Sequence, residues 1–250
     1  MSAKRLRIFA GPNGSGKSTF VRNFPENNNL NLGVYVNADD IEALLQQNRM
    51  LTLQQFQVDF TTDQVQQHFK VSRFAPVKLN KPQLWQHFLV VNDHLKISED
   101  LSVNSYIAAD IAELIRWQLM RQHISFSFET VMSDSNKLIF IAKAKEEGYK
   151  IYLYFFSTED PDINVSRVQI RVAQYGHSVA EEIIKRRYFS SLEHLKKAVQ
   201  LSHRAYLFDN SGKVAKLILE VENGETVTLI EPTDLLPNWV NNYLINKASK

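Results

Sequence analysis

The stretch Arg5-Leu6-Arg7-Ile8-Phe9-Ala10-Gly11-Pro12-Asn13-Gly14-Ser15-Gly16-Lys17-Ser18-Thr19-Phe20 constrains this chain more than any other. A short apolar run breaks into a turn in which three of the chain's eight glycines fall within six residues. Gly11, Gly16, Lys17 and Ser18 fit G-x-x-x-x-G-K-[ST], a pattern whose backbone N–H groups wrap a phosphate while the lysine reaches the β- and γ-phosphates and the hydroxyl holds Mg2+. Glycines let successive N–H groups converge on one anion without Cβ clashes, and the helix that follows adds its positive N-terminal end. The whole loop, Gly11, Pro12, Asn13, Gly14, Ser15, Gly16, Lys17, Ser18 and Thr19, is therefore expected to bind a nucleotide's phosphates, with Ser18 as the metal ligand.

With 250 residues and 44% apolar content the chain can bury the core of one large α/β domain. A charged fraction of 22% and a net charge of +2 give no reason to expect nucleic acid or an acidic membrane as partner. Cysteine is absent, which removes disulfides, thiolate metal sites and cysteine nucleophiles. The N-terminal residues run directly into the first strand without a signal peptide's apolar stretch, and no apolar run approaches the roughly 20 residues of a membrane span. A cytoplasmic protein is expected.

Beyond the loop, Lys17 to Asn23 predicts a helix that the Pro25 cluster ends. Val34-Tyr35-Val36 then leads to Asn37-Ala38-Asp39-Asp40. Strand ends of a parallel sheet line the ligand crevice, so Asp39 and Asp40 can orient Mg2+ or take a proton from a substrate hydroxyl; equally, one of them can cap the helix from Ile41. Residues 42–105 carry ten glutamines, and 50–105 reads as a helical insertion from the apolar spacing in Leu51–Phe60, Val65–Phe74 and Leu84–Leu95. Its aromatics, with few basic residues among them, predict a local core rather than a base-stacking surface.

A helix over Tyr106–Gln122 precedes the strand Ile124–Phe128, which delivers Glu129 and Thr130 to a loop; Ser133 or Asp134 is expected to cap the helix from Lys137. Glu129 there can hold a substrate hydroxyl, hold Mg2+ through water, or pair with an arginine. The unbroken apolar run Ile151–Phe156 marks a central parallel strand and implies a doubly wound sheet. Asn164–Val172 and Glu181–Phe189 read as helices carrying Arg167, Arg171, Lys185, Arg186 and Arg187 around a Gln174-Tyr175-Gly176-His177 turn. These cations can close on a polyphosphate as a lid or form a solvated basic face. Arg204–Asp209 is a further buried strand, whose Asp209 is a candidate metal-side acid and whose Asn210 can border an adenine, or both can serve simple turn chemistry. The tail predicts a β-hairpin around Asn223-Gly224 and a short helix over Pro237–Ile245.

In this order the motifs resemble the zeta toxin family of small-molecule kinases: the glycine loop, Asn37-Ala38-Asp39-Asp40, Phe128-Glu129-Thr130, the segment Arg167 to Arg187 and Phe208-Asp209-Asn210. The likeness covers about residues 5–45 and 105–212. It implies an α/β fold with a doubly wound, mostly parallel sheet of P-loop kinase type, ATP and Mg2+ as cofactors, and UDP-N-acetylglucosamine as the acceptor of the characterised members. An antitoxin is the protein partner it implies. Carried over, Lys17 and Ser18 hold the β- and γ-phosphates and Mg2+, and Asp39 is the base. Asp40, Glu129 and Thr130 position substrate, and Arg171 clamps the transition state with Arg187, preferred to Arg186, as second lid arginine. The chain departs from the family's Gly-Gly-His and Val-Pro at Tyr175-Gly176-His177 and Val179-Ala180. The organisation expected is one kinase-like domain over 1–250, with the insertion at 50–105 and the hairpin and helix at 213–250. The function expected is ATP-dependent transfer to a hydroxyl of a small molecule, against a nucleotide-binding switch without acceptor; a nucleic-acid 5′-hydroxyl kinase fits the near-neutral charge less well.

Overall fold

The computed structural model describes residues 4–28, 31–173 and 179–245. Its first half runs Arg5–Ala10 (β1), Lys17–Asn28 (α1), Val34–Val36 (β2), Ala38–Asn48 (α2), Met50–Thr52 (β3), Thr62–Val71 (α3), Ala75–Lys78 (α4), Phe88–Val91 (β4), His94–Ile97 (β5) and Ser105–Arg121 (α5). The second half runs Phe126–Thr130 (β6), Asn136–Glu146 (α6), Lys150–Ser157 (β7), Pro161–Ala173 (α7), Glu181–Leu201 (α8), Arg204–Asp209 (β8), Lys216–Glu222 (β9), Thr226–Leu229 (β10) and Asn238–Val240 (α9). By packing the chain divides into two compact units, residues 1–32 with 127–250, and residues 33–126.

In the first unit the strands lie in the order β10-β9-β8-β7-β1-β6. β1 and β7 are parallel from Arg5 opposite Lys150 to Ala10 opposite Phe155, and β7 and β8 from Tyr152 opposite Arg204 to Ser157 opposite Asp209. This shared direction and register carry Ala10, Ser157 and Asp209 to the same edge of the sheet, where ligands of open α/β folds bind. Tyr154 to Ser157 of β7 are buried without alternation, as a central strand covered on both faces requires. On one face Tyr154 stacks between Phe9 and Tyr206 at centroid distances of 4.9 and 5.0 Å. Phe156 stacks on Phe208 at 4.6 Å, and Phe20 of α1 lies 4.8 and 5.0 Å from these two. The fully buried ones among these aromatics contribute roughly 1.5–3 kcal/mol each, and the half-buried Phe20 and Tyr206 less. They fix where α1 docks, and hence where its N-terminus sits relative to the end of β1.

α1 continues through Pro25 to Asn28 instead of stopping at Asn23. Proline's fixed φ is helical, so the ring forfeits one backbone bond without having to end the helix. The hairpin forms as expected: β9 and β10 are antiparallel, β9 adds antiparallel to β8, and Asn223 and Gly224 turn between them with φ of 53° and 75°. Of the closing helix, Trp239 and Val240 are buried whereas Tyr243 and Leu244 are only half-buried in a π-helical turn.

The second unit corrects the expectation of helices throughout 50–105. α3 and α4 are there, but β3, β5 and β4 form a three-stranded antiparallel sheet. Leu84–Leu95 is not an α-helix: Leu84–His87 makes one 3-10 turn and Phe88–Val91 then runs as strand β4. Asn92 and Asp93 both take positive φ, 47° and 64°, and make the two-residue turn that joins β4 to β5. α3 is capped reciprocally by Thr61 and Gln64, and its Phe69 stacks on Phe88 of β4 at 4.0 Å, which makes the predicted aromatic core a helix-on-sheet core.

Asp110 of α5 anchors this unit. The residue is 3% exposed and accepts from Ser72 Oγ at 2.6 Å and from the Ala75 N–H at 3.1 Å, with His68 Nε2 at 3.0 Å. Removing the carboxylate leaves several groups without their partner, and each buried group so stranded costs about 1–3 kcal/mol. Asp110→Ala is expected to lower stability by roughly 3 kcal/mol in urea denaturation; a loss under about 0.5 kcal/mol, the range of an ordinary surface substitution, is the contrary result.

Candidate active site

The loop from Gly11 to Ser18 leaves β1 and opens α1. Gly11, Gly14 and Gly16 hold φ of 138°, 76° and 88°, a region L side chains rarely enter. Each also has a neighbour where a Cβ would stand: Phe156 O at 2.0 Å, Asn164 O at 2.6 Å and Asn210 Nδ2 at 2.1 Å, respectively. Gly11 and Gly14 are thus required by space, against fixed backbone, as well as by torsion, whereas at Gly16 the neighbour is the end of a side chain and the torsion is the stricter demand. Gly16→Ala is expected to cost about 1–3 kcal/mol, the scale of a residue held in a disfavoured torsion, read by urea denaturation; an unchanged midpoint would contradict that torsional demand.

Lys17 is 8% exposed and curls over its own loop, donating from Nζ to the carbonyls of Gly11 at 2.7 Å and Pro12 at 2.8 Å, with Ser15 Oγ at 3.5 Å. Ser18 Oγ donates to Glu129 Oε2 at 2.7 Å, and the Gly11 N–H donates to the Thr130 carbonyl at 3.2 Å. The end of β6 is therefore laid along the loop. Glu129 and Thr130, expected in a loop, are its last two strand residues, and both are half-buried. Thr130 Oγ1 accepts the N–H of Met132, which itself is held at φ 55°. The expected cap of α6 is supplied through Asp134, whose Oδ1 accepts the Asn136 N–H at 2.8 Å, while Ser135 is the residue at the cap position.

Two asparagines that the sequence did not mark for this task grip the loop from outside. Asn164 of α7, fully buried, donates from Nδ2 to the Asn13 carbonyl at 2.5 Å, and its Oδ1 accepts from Thr158 Oγ1. Tyr188 of α8 donates its hydroxyl to the Thr158 carbonyl at 2.6 Å, and burial raises its pKa above the ordinary tyrosine range. Asn210 donates from Nδ2 to the Ser15 carbonyl at 2.8 Å. Asp209 serves turn chemistry, accepting from Ser211 Oγ at 2.8 Å and from Trp239 Nε1 at 3.4 Å.

The five cations do not form one set. Arg167 donates to the carbonyls of Asn210 and Gly212, both at 2.7 Å, so it secures the turn after β8. Lys185 lies 2.7 Å from Asp162 and 2.8 Å from Glu181, whose hydrogen bonds hold its ammonium above the usual lysine range. Arg171 and Arg186 are exposed and Arg187 is half-buried. The Gln174-Tyr175-Gly176-His177 turn lies outside the described residues.

In the second unit, Asp39 and Asp40 occupy the first turn of α2 and are exposed. Neither is the cap. Asn37 has that position and accepts the Asp39 N–H on its side chain at 2.9 Å. A separate cleft of about 380 Å3 in the first unit is lined by Ser133, Asp134, Ser135, Ser190, Glu193 and His194.

Fold and loop together define a P-loop kinase-type α/β protein. No family model matches the chain. An uncharacterized protein of Haemophilus influenzae is 35% identical over 69 residues, 28% of this chain and 49% of that protein, so the chain spans about half the length of the curated relative it matches. Among solved structures, a chain of the PezAT chromosomal toxin-antitoxin system of Streptococcus pneumoniae is similar over 100% of this chain and 82% of its own, at 13% identity and a TM-score of 0.51. A chain of the AvrRxo1-ORF1:-ORF2 complex is similar over 91% of this chain and 61% of its own, at 12% identity and a TM-score of 0.52. These likenesses show the shared fold. No helix among the described residues is long and apolar enough to cross a membrane.

Proposed function

We propose that this chain is an ATP-dependent phosphotransferase of zeta toxin type, acting on a hydroxyl of a small molecule, with residues 1–250 as one kinase-like domain. The observation that carries the reading is the Ser18–Glu129 pair at 2.7 Å beside a loop that backbone atoms crowd at Gly11 and Gly14. A hydroxyl and a carboxylate oxygen so close form a hard oxygen pair, the donor type Mg2+ takes from protein when phosphates complete its shell. Ser18, with Glu129 directly or through water, would hold that ion, which neutralises phosphate charge when bound. The loop N–H groups and Lys17 orient the ATP phosphates. By the family resemblance, Asp39 would accept the proton of the attacking hydroxyl, Asp40 and Thr130 would hold the acceptor, with Glu129 as the alternative anchor where it does not serve the ion, and Arg171 with Arg187 would offset charge on the transferred group.

UDP-N-acetylglucosamine as the acceptor rests on the family resemblance alone, an antitoxin as partner on that resemblance and on a solved neighbour being part of a toxin-antitoxin system, and a cytoplasmic location on the sequence reading above. The test is to incubate the purified protein with γ-labelled ATP and a metabolite pool that includes UDP-N-acetylglucosamine. Label in a metabolite is expected. Tight ATP binding with neither transfer nor hydrolysis would favour a nucleotide switch and overturn the kinase reading.

A further inference from the structure

A planar trans peptide points the carbonyl of one residue and the N–H of the next in opposite directions. Whatever holds a loop carbonyl outward therefore aims the following N–H inward. Asn164 Nδ2 holds the carbonyl of Asn13, which sets the N–H of Gly14, and Asn210 Nδ2 holds the carbonyl of Ser15, which sets the N–H of Gly16. The same two residues crowd the same two glycines, Asn164 through its backbone and Asn210 through its amide.

We infer that Asn164 and Asn210 are positioning residues that orient the phosphate loop for anion binding, and that α7 controls both; the inference rests on reading the loop as a nucleotide site. Each asparagine is itself constrained. Thr158 Oγ1 donates to Asn164 Oδ1, which leaves the amide N–H groups facing the loop, and the Tyr188 hydroxyl steadies Thr158 from α8. Arg167, one turn beyond Asn164 on α7, holds the Asn210 carbonyl at 2.7 Å. α7 thus reaches Asn13 directly and Ser15 through Asn210. A displacement of α7, which also carries Arg171, turns Gly14 and Gly16 away from a bound phosphate, whereas a seated α7 presents both.

The experiment uses the full chain and two probes, inorganic tripolyphosphate and ATP, each with Mg2+, titrated by calorimetry into wild type, Asn210→Ala, Asn164→Ala and the exposed control Asn136→Ala. Melting of each protein without ligand separates folding from positioning. Wild type and Asn136→Ala are expected to bind both probes alike, and each clamp variant to bind both at least about tenfold more weakly while melting cooperatively, the scale of one lost hydrogen bond to a charged group. Arg167→Gln is expected to weaken both probes about threefold, acting through Asn210. Because Asn164 is fully buried, Asn210→Ala, at a half-buried position, decides the matter if the other variant does not fold. A folded Asn210→Ala that binds both probes within twofold of wild type overturns the inference alone. Wild-type protein that binds neither probe overturns the phosphate-loop reading beneath it.

Discussion

Lys17→Ala is expected to weaken ATP binding by roughly a hundredfold, about 2.7 kcal/mol, as measured by calorimetry. Hydrogen bonds to charged groups contribute about 1.5–3 kcal/mol each, and an ammonium that reaches two phosphates makes at least two of them. The net effect is smaller than that gross sum. Before ATP binds, the ammonium is satisfied by the Gly11 and Pro12 carbonyls at 2.7 and 2.8 Å, and moving onto phosphate exchanges those partners for stronger, charged ones. Lys17→Arg is expected to restore little, because a planar guanidinium needs more room than an 8% exposed lysine leaves. An ATP affinity within threefold of wild type in Lys17→Ala would remove the lysine from the site.

The glycine loop was legible because its demands are local: three torsions and one helix start lie within nine residues. Its clamp was not. Asn164 and Asn210 meet carbonyls 151 and 195 residues away in the chain, and the Phe208-Asp209-Asn210 motif does not say which carbonyl its asparagine meets. A signal was present in Asn164, a polar residue at an inward position of an otherwise apolar helix stripe, where burial demands hydrogen-bond partners. The central strand β7 announced itself by a continuous apolar run, and β1 and β8 by shorter ones. In 50–105 the apolar spacing suited a helix equally well, and the deciding feature was the Asn92-Asp93 pair, a hairpin turn between Phe88–Val91 and His94–Ile97. Basic residues on α7 and α8 looked alike in sequence; Asp162, Glu181 and two carbonyls, brought near only by folding, assign Lys185 and Arg167 to structural roles.

Asp39→Asn is expected to leave ATP affinity unchanged and to lower phosphoryl transfer at least about a hundredfold, the lower range of what a general base supplies. That loss is a barrier increase of about 2.7 kcal/mol. It can be separated from damage to the fold, because Asn37 already caps α2 and the substitution preserves size. What the helix forfeits is one negative charge near its N-terminus, about 0.3–1 kcal/mol and screened at an exposed position. The chemical effect therefore exceeds the structural one several-fold. Asp40→Asn supplies the contrast: as a substrate-holding residue it should raise KM for the acceptor more than it lowers kcat. Equal kcat in Asp39→Asn and wild type, with ATP bound normally, would sink the assignment of Asp39 as base. A kcat loss confined to Asp40→Asn would move that role one residue along α2.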